Sequence, residues 1–239
     1  LAVTSAVLFL ASLAAHVYSE YQGLQKRWYR ARALAESVKT TTWRFMMHAE
    51  PFTGGSADFD LFRERLHELL AQNEGIAADL SGSWADKDQI TQSMIAAHSA
   101  AFDAKREFYK RARIDEQRSW YANKSLSNKD ASRSFFVGIC FTYGMAILLV
   151  LLRVASPEST WLPVEPLAVV AGGLIGWKQL RRFNELASAY GLTAHEVGII
   201  QSRYTTVADA STLGSFVSDA ENAFSREHTQ WAARRDHVK

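Results

Sequence analysis

The chain has 239 residues, 48% of them hydrophobic and 22% charged, with a formal net charge of +2. Its length admits one large domain or two small ones, and its single cysteine, Cys140, excludes a disulfide framework. The average resembles that of a globular protein, but the apolar residues are gathered into a few uncharged blocks, so the placement of charge says more than its sum.

The first block, LAVTSAVLFLASLAAHVY, opens the chain without a formal charge and without an initiator methionine. Residues 1–19 are therefore expected to be a transmembrane segment, the second arm of a hairpin whose upstream arm is missing. Lys26, Arg27, Arg30 and Arg32 follow with no acidic residue among them. An apolar stripe then runs through Tyr21, Leu24, Trp28, Ala31, Ala35, Val38, Thr42, Phe45 and Ala49 in steps of three and four, which predicts an amphipathic helix. Pro51 is expected to stop it, and Gly54-Gly55-Ser56 to make the turn.

A second helix is predicted over about 58–72, on Phe59, Phe62, Leu66 and Leu69. A third is predicted from Gln89 to Lys124, with Ile90, Met94, Ala97, Ala101, Phe108 and Ala112 on its buried side. Lys105, Arg106, Lys110, Arg111, Arg113, Arg118 and Lys124 crowd this helix, interleaved with Phe108, Tyr109, Trp120 and Tyr121. Guanidinium groups pair bidentately with phosphate, and aromatic rings stack on bases. Arg111, Arg113, Arg118 and Lys124 are thus candidate contacts for an anionic ligand. Asp103, Glu107, Asp115 and Glu116 offer ordinary helix-surface partners instead, and both readings stand at this point.

From Ser134 to Leu152 nineteen residues carry no charge, bounded by Arg133 and Arg153. At 1.5 Å per residue this run is about 29 Å long, close to the hydrocarbon thickness of a bilayer. Leu162 to Trp177 forms a shorter apolar block, with Pro163 and Pro166 where a helix start tolerates them. The short linker at 154–161 makes the two a hairpin, residues 134–177. Gly172 and Gly176 allow close approach of helix backbones. Glu165 is costly against lipid and suits a pore mouth or the headgroup layer. Tyr143, midway along the first arm, joins Glu165, Gly172 and Gly176 as a pore candidate. The helix is expected to continue to Tyr190, with Gly191 as a left-handed stop. Thr193-Ala-His-Glu196 then fits a capping box. Val217, Ala220, Phe224, His228 and Trp231 stripe the last helix.

No strand-like alternation of useful length occurs, so the fold class is all-α: an integral membrane protein with two transmembrane hairpins, the first partly missing, and a helical bundle. Lys129 and Arg133, then Lys178, Arg181 and Arg182, flank the open ends of the second hairpin, while Arg153, Glu158 and Glu165 mark its closed end. The positive-inside rule places the open ends, and hence residues 20–133 and 178–239, in the cytoplasm. The juxtamembrane group from Lys26 to Arg32 favours anionic lipid headgroups. The two halves share a plan of span, basic exit and long helix, and each ends on a basic and aromatic cluster, at 113–124 and 226–235. This suggests a duplication.

Trp28-Tyr29-Arg30-Ala31-Arg32, Ala35-Glu36, Lys39, Trp43-Arg44-Phe45 and Pro51-Phe52 resemble the first half of SLATT-domain proteins. Gln89-Ile90-Thr91, Arg113-Ile114 through Gln117, Trp120-Tyr121 and Lys124 continue the resemblance, and the hairpin and the run from Arg226 to Trp231 complete it. The resemblance implies a bacterial effector that oligomerises in the inner membrane and forms a pore in anti-phage defence. It also implies gating by a nucleotide or short oligonucleotide made by a partner nucleotidyltransferase, or association with nucleotide-sensing SLOG domains. A homo-oligomer, hypothetically a tetramer, is expected.

Neither His67-Glu68 nor His195-Glu196 has a histidine four residues beyond the first, so the zincin pattern fails. GxSxG, GxxxxGK[ST] and GxGxxG are absent from the sequence, and Cys140 lies in an apolar span with no charge to make a thiolate. No enzyme and no cofactor are expected. The alternative to a channel is a non-conducting membrane scaffold or receptor whose cytoplasmic bundle recruits a protein partner.

Overall fold

A computed structural model of the chain describes residues 2–22, 24–77, 87–158 and 162–236, and those residues are helices joined by short connections. The chain divides into two compact units, Leu1–Tyr109 with Tyr204–Lys239, and Lys110–Arg203.

In the first unit, α1 (Ala2–Gln22) carries the opening apolar block, and every side chain from Val3 to Tyr18 is exposed. The amphipathic α2 (Leu24–Met47) packs against α10 (Ala210–Asp236), α3 (Ala57–Ala71) and α5 (Gln92–His98). A short α4 (Glu74–Ala77) follows α3. The core centres on Phe45, fully buried, with the rings of Phe52, Phe59, Phe62 and His98 at centroid distances of 4.6 to 5.7 Å. Leu213, Phe216, Val217, Ala220, Glu221 and Phe224 are the buried face of α10, each three or four residues from another as a helix requires. The expected stripe members His228 and Trp231 fall where side chains lie outside the described ones. Gly214 of α10 lies so near the backbone of His48 that a Cβ there would sit 2.8 Å from the His48 carbonyl oxygen.

Helix α2 ends earlier than expected. His48 takes a left-handed φ of 55°, and its backbone N–H donates to Phe45 O at 3.4 Å, so Pro51 lies beyond the stop. The expected helix 89–124 is also divided. Thr91 caps α5 by accepting from Met94 N, and Ser99 to Ala101 separate α5 from α6 (Phe102–Tyr109). Neither glycine nor proline marks that break. It sits where His98 turns inward to a buried carboxylate, a long-range contact that periodicity does not encode.

The helix from Phe102 to Ala155 is uninterrupted. It comprises α6, a π-helical segment at Lys110–Asp115, and α7 (Glu116–Ala155). Within the second unit α7 packs on α8 (Val164–Arg181) and, more extensively, on α9 (Phe183–Ser202). A 3-10 turn, Arg203–Thr206, precedes α10.

Two expected boundaries are corrected here. The stop after the hairpin is Arg182, at a left-handed φ of 49°, and α9 runs straight through Gly191. Gly191 is small because α7 is close: a Cβ there would lie 3.2 Å from Ser125 Oγ. Thr193 opens no helix, since its hydroxyl donates back to Ala189 O at 3.1 Å in the middle of α9. A threonine can satisfy its hydroxyl within a helix as readily as at a cap, so the capping-box spacing was ambiguous.

Candidate membrane and ligand surfaces

Among the described residues one helix is long and apolar enough to cross a membrane, Phe102–Ala155, and Val3–Tyr18 is a shorter apolar helix. Between Ser134 and Leu152 only Thr142 is buried, while Phe136, Val137, Phe141, Ile147 and Leu151 are each more than half exposed. The second arm is weaker: its uncharged stretch, residues 166–177, spans about 18 Å as a helix, because Glu165 and Lys178 bound it. Helix α8 does begin at the prolines as expected, with Pro163 preceding its first residue.

The four pore candidates fall on open surface of the single chain. Tyr143 is exposed. Among the described residues nothing within 4 Å would meet a Cβ at Gly172 or Gly176, so these glycines pack on no other helix of their own unit. At the closed end of the hairpin Arg153 Nη1 donates to Glu165 Oε1 at 3.0 Å. Glu165 is thus a paired carboxylate, with its side chain largely exposed. At the other end Lys178 stands over the ring of Phe136, and Arg181 over Trp177 and Phe183.

The basic and aromatic segment does not form one surface. Arg111 is exposed, whereas Arg113 is wholly buried. Arg118 Nη1 donates to Gln201 Oε1 at 2.6 Å, and Gln201 Nε2 donates to Asp115 Oδ1 at 2.6 Å. Lys124 lies over the Trp120 ring, 5.7 Å from its centroid. Phe108 and Tyr109 pack on Trp43, and Tyr121 is buried beside Tyr190. Most of these rings are packing residues. Trp120, about a third exposed, remains accessible.

A cluster that sequence reasoning missed lies in the first unit. The Asp58 carboxylate accepts from Thr53 N (3.1 Å) and Gly54 N (2.7 Å), and His98 Nε2 donates to it at 3.3 Å. His48 Nε2 lies 2.8 Å from His98 O, and Lys105 Nζ stands against the same ring, 3.1 Å from Nδ1 and 2.7 Å from Nε2. Gly54, at φ 89°, has no room for a side chain, because a Cβ would meet the His48 ring at 2.6 Å. His48, Gly54, Gly55, Ser56, Phe59, His98, Ser99 and Ala100 line a shallow cleft of about 400 Å³.

Burial pushes the Lys105 ammonium down to about 8, the Asp58 charge opposing the shift. Burial, then the neighbouring Lys105 and His98, lowers the His48 pKa. Burial disfavours the Asp58 carboxylate, but the N–H groups of Thr53 and Gly54 and the His98 contact outweigh it and lower its pKa. These groups come from four separate stretches of chain, and no local motif links them.

Residues 109–231 match the description SMODS and SLOG-associating 2TM effector domain 1, and residues 1–106 match SMODS and SLOG-associating 2TM effector domain 3. The chain belongs to the SLATT family. No curated protein and no solved structure matches it.

The SLATT description, a two-transmembrane effector domain associated with SMODS and SLOG systems, agrees with the apolar helices of both units. It indicates no catalytic family. Among the described residues no group of three or more His, Cys, Asp or Glu side chains is arranged to hold a metal ion. The boundary between the two SLATT matches falls close to the division of the chain at Tyr109 and Lys110.

Proposed function

We propose that this SLATT protein is a homo-oligomeric effector of the bacterial inner membrane. In this reading its hairpins form an ion-conducting pore, gated by a nucleotide or short oligonucleotide from a partner nucleotidyltransferase. The observation that supports it most directly is the bare apolar surface of α7 between Ser134 and Leu152. A surface of that kind is costly in water and calls for lipid or further copies of the chain. Residues 1–19 act as a transmembrane segment, 20–133 as a cytoplasmic helical region, 134–177 as the second hairpin and 178–239 as C-terminal cytoplasmic helices. A tetramer is the working assembly, with Tyr143, Gly172 and Gly176 facing other copies.

Arg111 and Lys124 are the members of the basic segment whose exposure best suits an anionic ligand. Arg118 can join them by exchanging Gln201 for phosphate, while the buried Arg113 acts through the position of the helix. Purified protein in planar bilayers, with and without nucleotides and short oligonucleotides, tests the proposal. Conductance that responds to one of these ligands supports it. Silent bilayers containing verified, assembled protein overturn it.

The second reading, a non-conducting scaffold or receptor that recruits a protein partner, draws on the Arg153–Glu165 pair. A carboxylate already paired with a guanidinium makes a weaker cation-attracting ring. If Glu165 rings a mouth, Glu165→Gln lowers cation selectivity, which a shift in reversal potential across a salt gradient reports. Identical reversal potentials for the two proteins place Glu165 at the lipid interface.

A further inference from the structure

The π-helical segment Lys110–Asp115 lies inside the uninterrupted helix Phe102–Ala155. Such a segment accommodates a surplus residue by bonding i to i+5, and it is frequent at functional positions. Lys110 Nζ donates to Asp115 Oδ2 at 3.1 Å. In an α-helix residues five apart point about 140° away from each other, so this pair favours the π register over the α register. The other carboxylate oxygen, Oδ1, accepts from Gln201 Nε2, and Gln201 in turn accepts from Arg118 Nη1. One carboxylate therefore clasps the π turn from within and ties it to α9. Arg113 and Ile114, inside the same segment, are buried, so the segment is packed in place and is no frayed end.

We propose that Lys110–Asp115 is a register switch, with Asp115 as its latch. The helix exchanges between the π form and a fully α-helical form in which the surplus residue is absorbed. Absorbing it advances one flank of this helix on the other by about 100° and 1.5 Å. A ligand or partner that competes for Lys110, Arg118 or Gln201 frees Asp115 and shifts the population by its preference for one form. Neither conduction nor the identity of a gating ligand enters this inference.

Nitroxide labels at Asp103→Cys and Ser119→Cys, in a Cys140→Ser background of the full chain in liposomes, read the register by pulsed electron resonance. Both positions are exposed, and the fully α-helical form lengthens the label separation by about 5 Å. The expected result is a major short and a minor long distance. Asp115→Asn is expected to raise the ratio of long to short about fivefold, the scale of a lost partly exposed ion pair with its hydrogen bond. Lys110→Gln serves the same purpose if Asp115→Asn fails to fold. Deletion of Ala112 removes the surplus residue, so it should leave only the short distance and the wild-type melting temperature. Deletion of Ala122, in regular α-helix, should lower that temperature. One unmoved distance in all variants that fold, or an Ala112 deletion as damaging as that of Ala122, overturns the switch.

Discussion

Lys105 is the residue whose burial has the plainest thermodynamic cost. The unfolded chain holds its lysine proton to about 10.5, the folded chain only to about 8. Between those values the unfolded state binds more protons, so stability climbs with pH across the window. The acid side runs the same way: His48, with its lowered pKa, withdraws stability as pH falls below 6.5, and Asp58 withdraws more as pH falls below 3.8. Thermal unfolding should therefore shift upward from pH 8 to 10.5 in wild type, and Lys105→Met should abolish that rise. A melting temperature that falls over this range in wild type would contradict the assignment. Glu221 offers a second test. It is wholly buried and accepts from Thr40 Oγ1 at 3.0 Å and Tyr109 OH at 2.9 Å. Tyr109→Phe removes one donor from a buried carboxylate and should cost about 1–3 kcal/mol in denaturant unfolding.

Among the elements, glycines divide into those that pack within the chain and those that do not. Gly191 of α9 faces Ser125, whose hydroxyl donates to Ala187 O at 2.7 Å. Gly191→Leu should separate α7 from α9 and cost about 1–3 kcal/mol by overpacking. Gly172→Leu and Gly176→Leu meet open space, so each should leave unfolding of the chain within about 0.5 kcal/mol while impairing assembly. Mass measurement in detergent alongside denaturation separates the two effects, and unchanged assembly in both variants removes these glycines from any interface. Helix α2 was legible because the stripe from Trp28 to Ala49 repeats over many turns, but its buried face was not: Trp28, Ala31 and Ala35 are exposed, and Leu34, Thr40 and Trp43 are buried instead. The helix ends were not. Arg182 takes a left-handed conformation that glycine adopts more cheaply, so Gly191 attracted the assignment. The π segment carries no composition signal at all. Arg113 and Arg118 look alike in sequence, yet one is buried and the other bonds Gln201, and only tertiary packing distinguishes them.

For the whole molecule, the SLATT match and the exposed apolar helices agree on a membrane effector. The proposed orientation places Ser127 in the cytoplasm and the closed end of the hairpin outside. A cysteine at Ser127 should resist impermeant reagent in intact cells and react after permeabilisation, and labelling without permeabilisation overturns the topology. The Arg153–Glu165 pair also matters before the protein reaches its final state. In that orientation the closed end must be carried through the bilayer during biogenesis, taking Arg153, Glu158 and Glu165 with it. A lone arginine near the bilayer centre costs about 2.5–3.5 kcal/mol on insertion scales. Joined at 3.0 Å, Arg153 and Glu165 would cross as a dipole with no net charge of its own, so in the proposed orientation the pair would ease the delivery of the hairpin. Glu165→Gln would remove the carboxylate bonded to Arg153, and the yield of correctly inserted protein should fall even where the finished fold is unharmed.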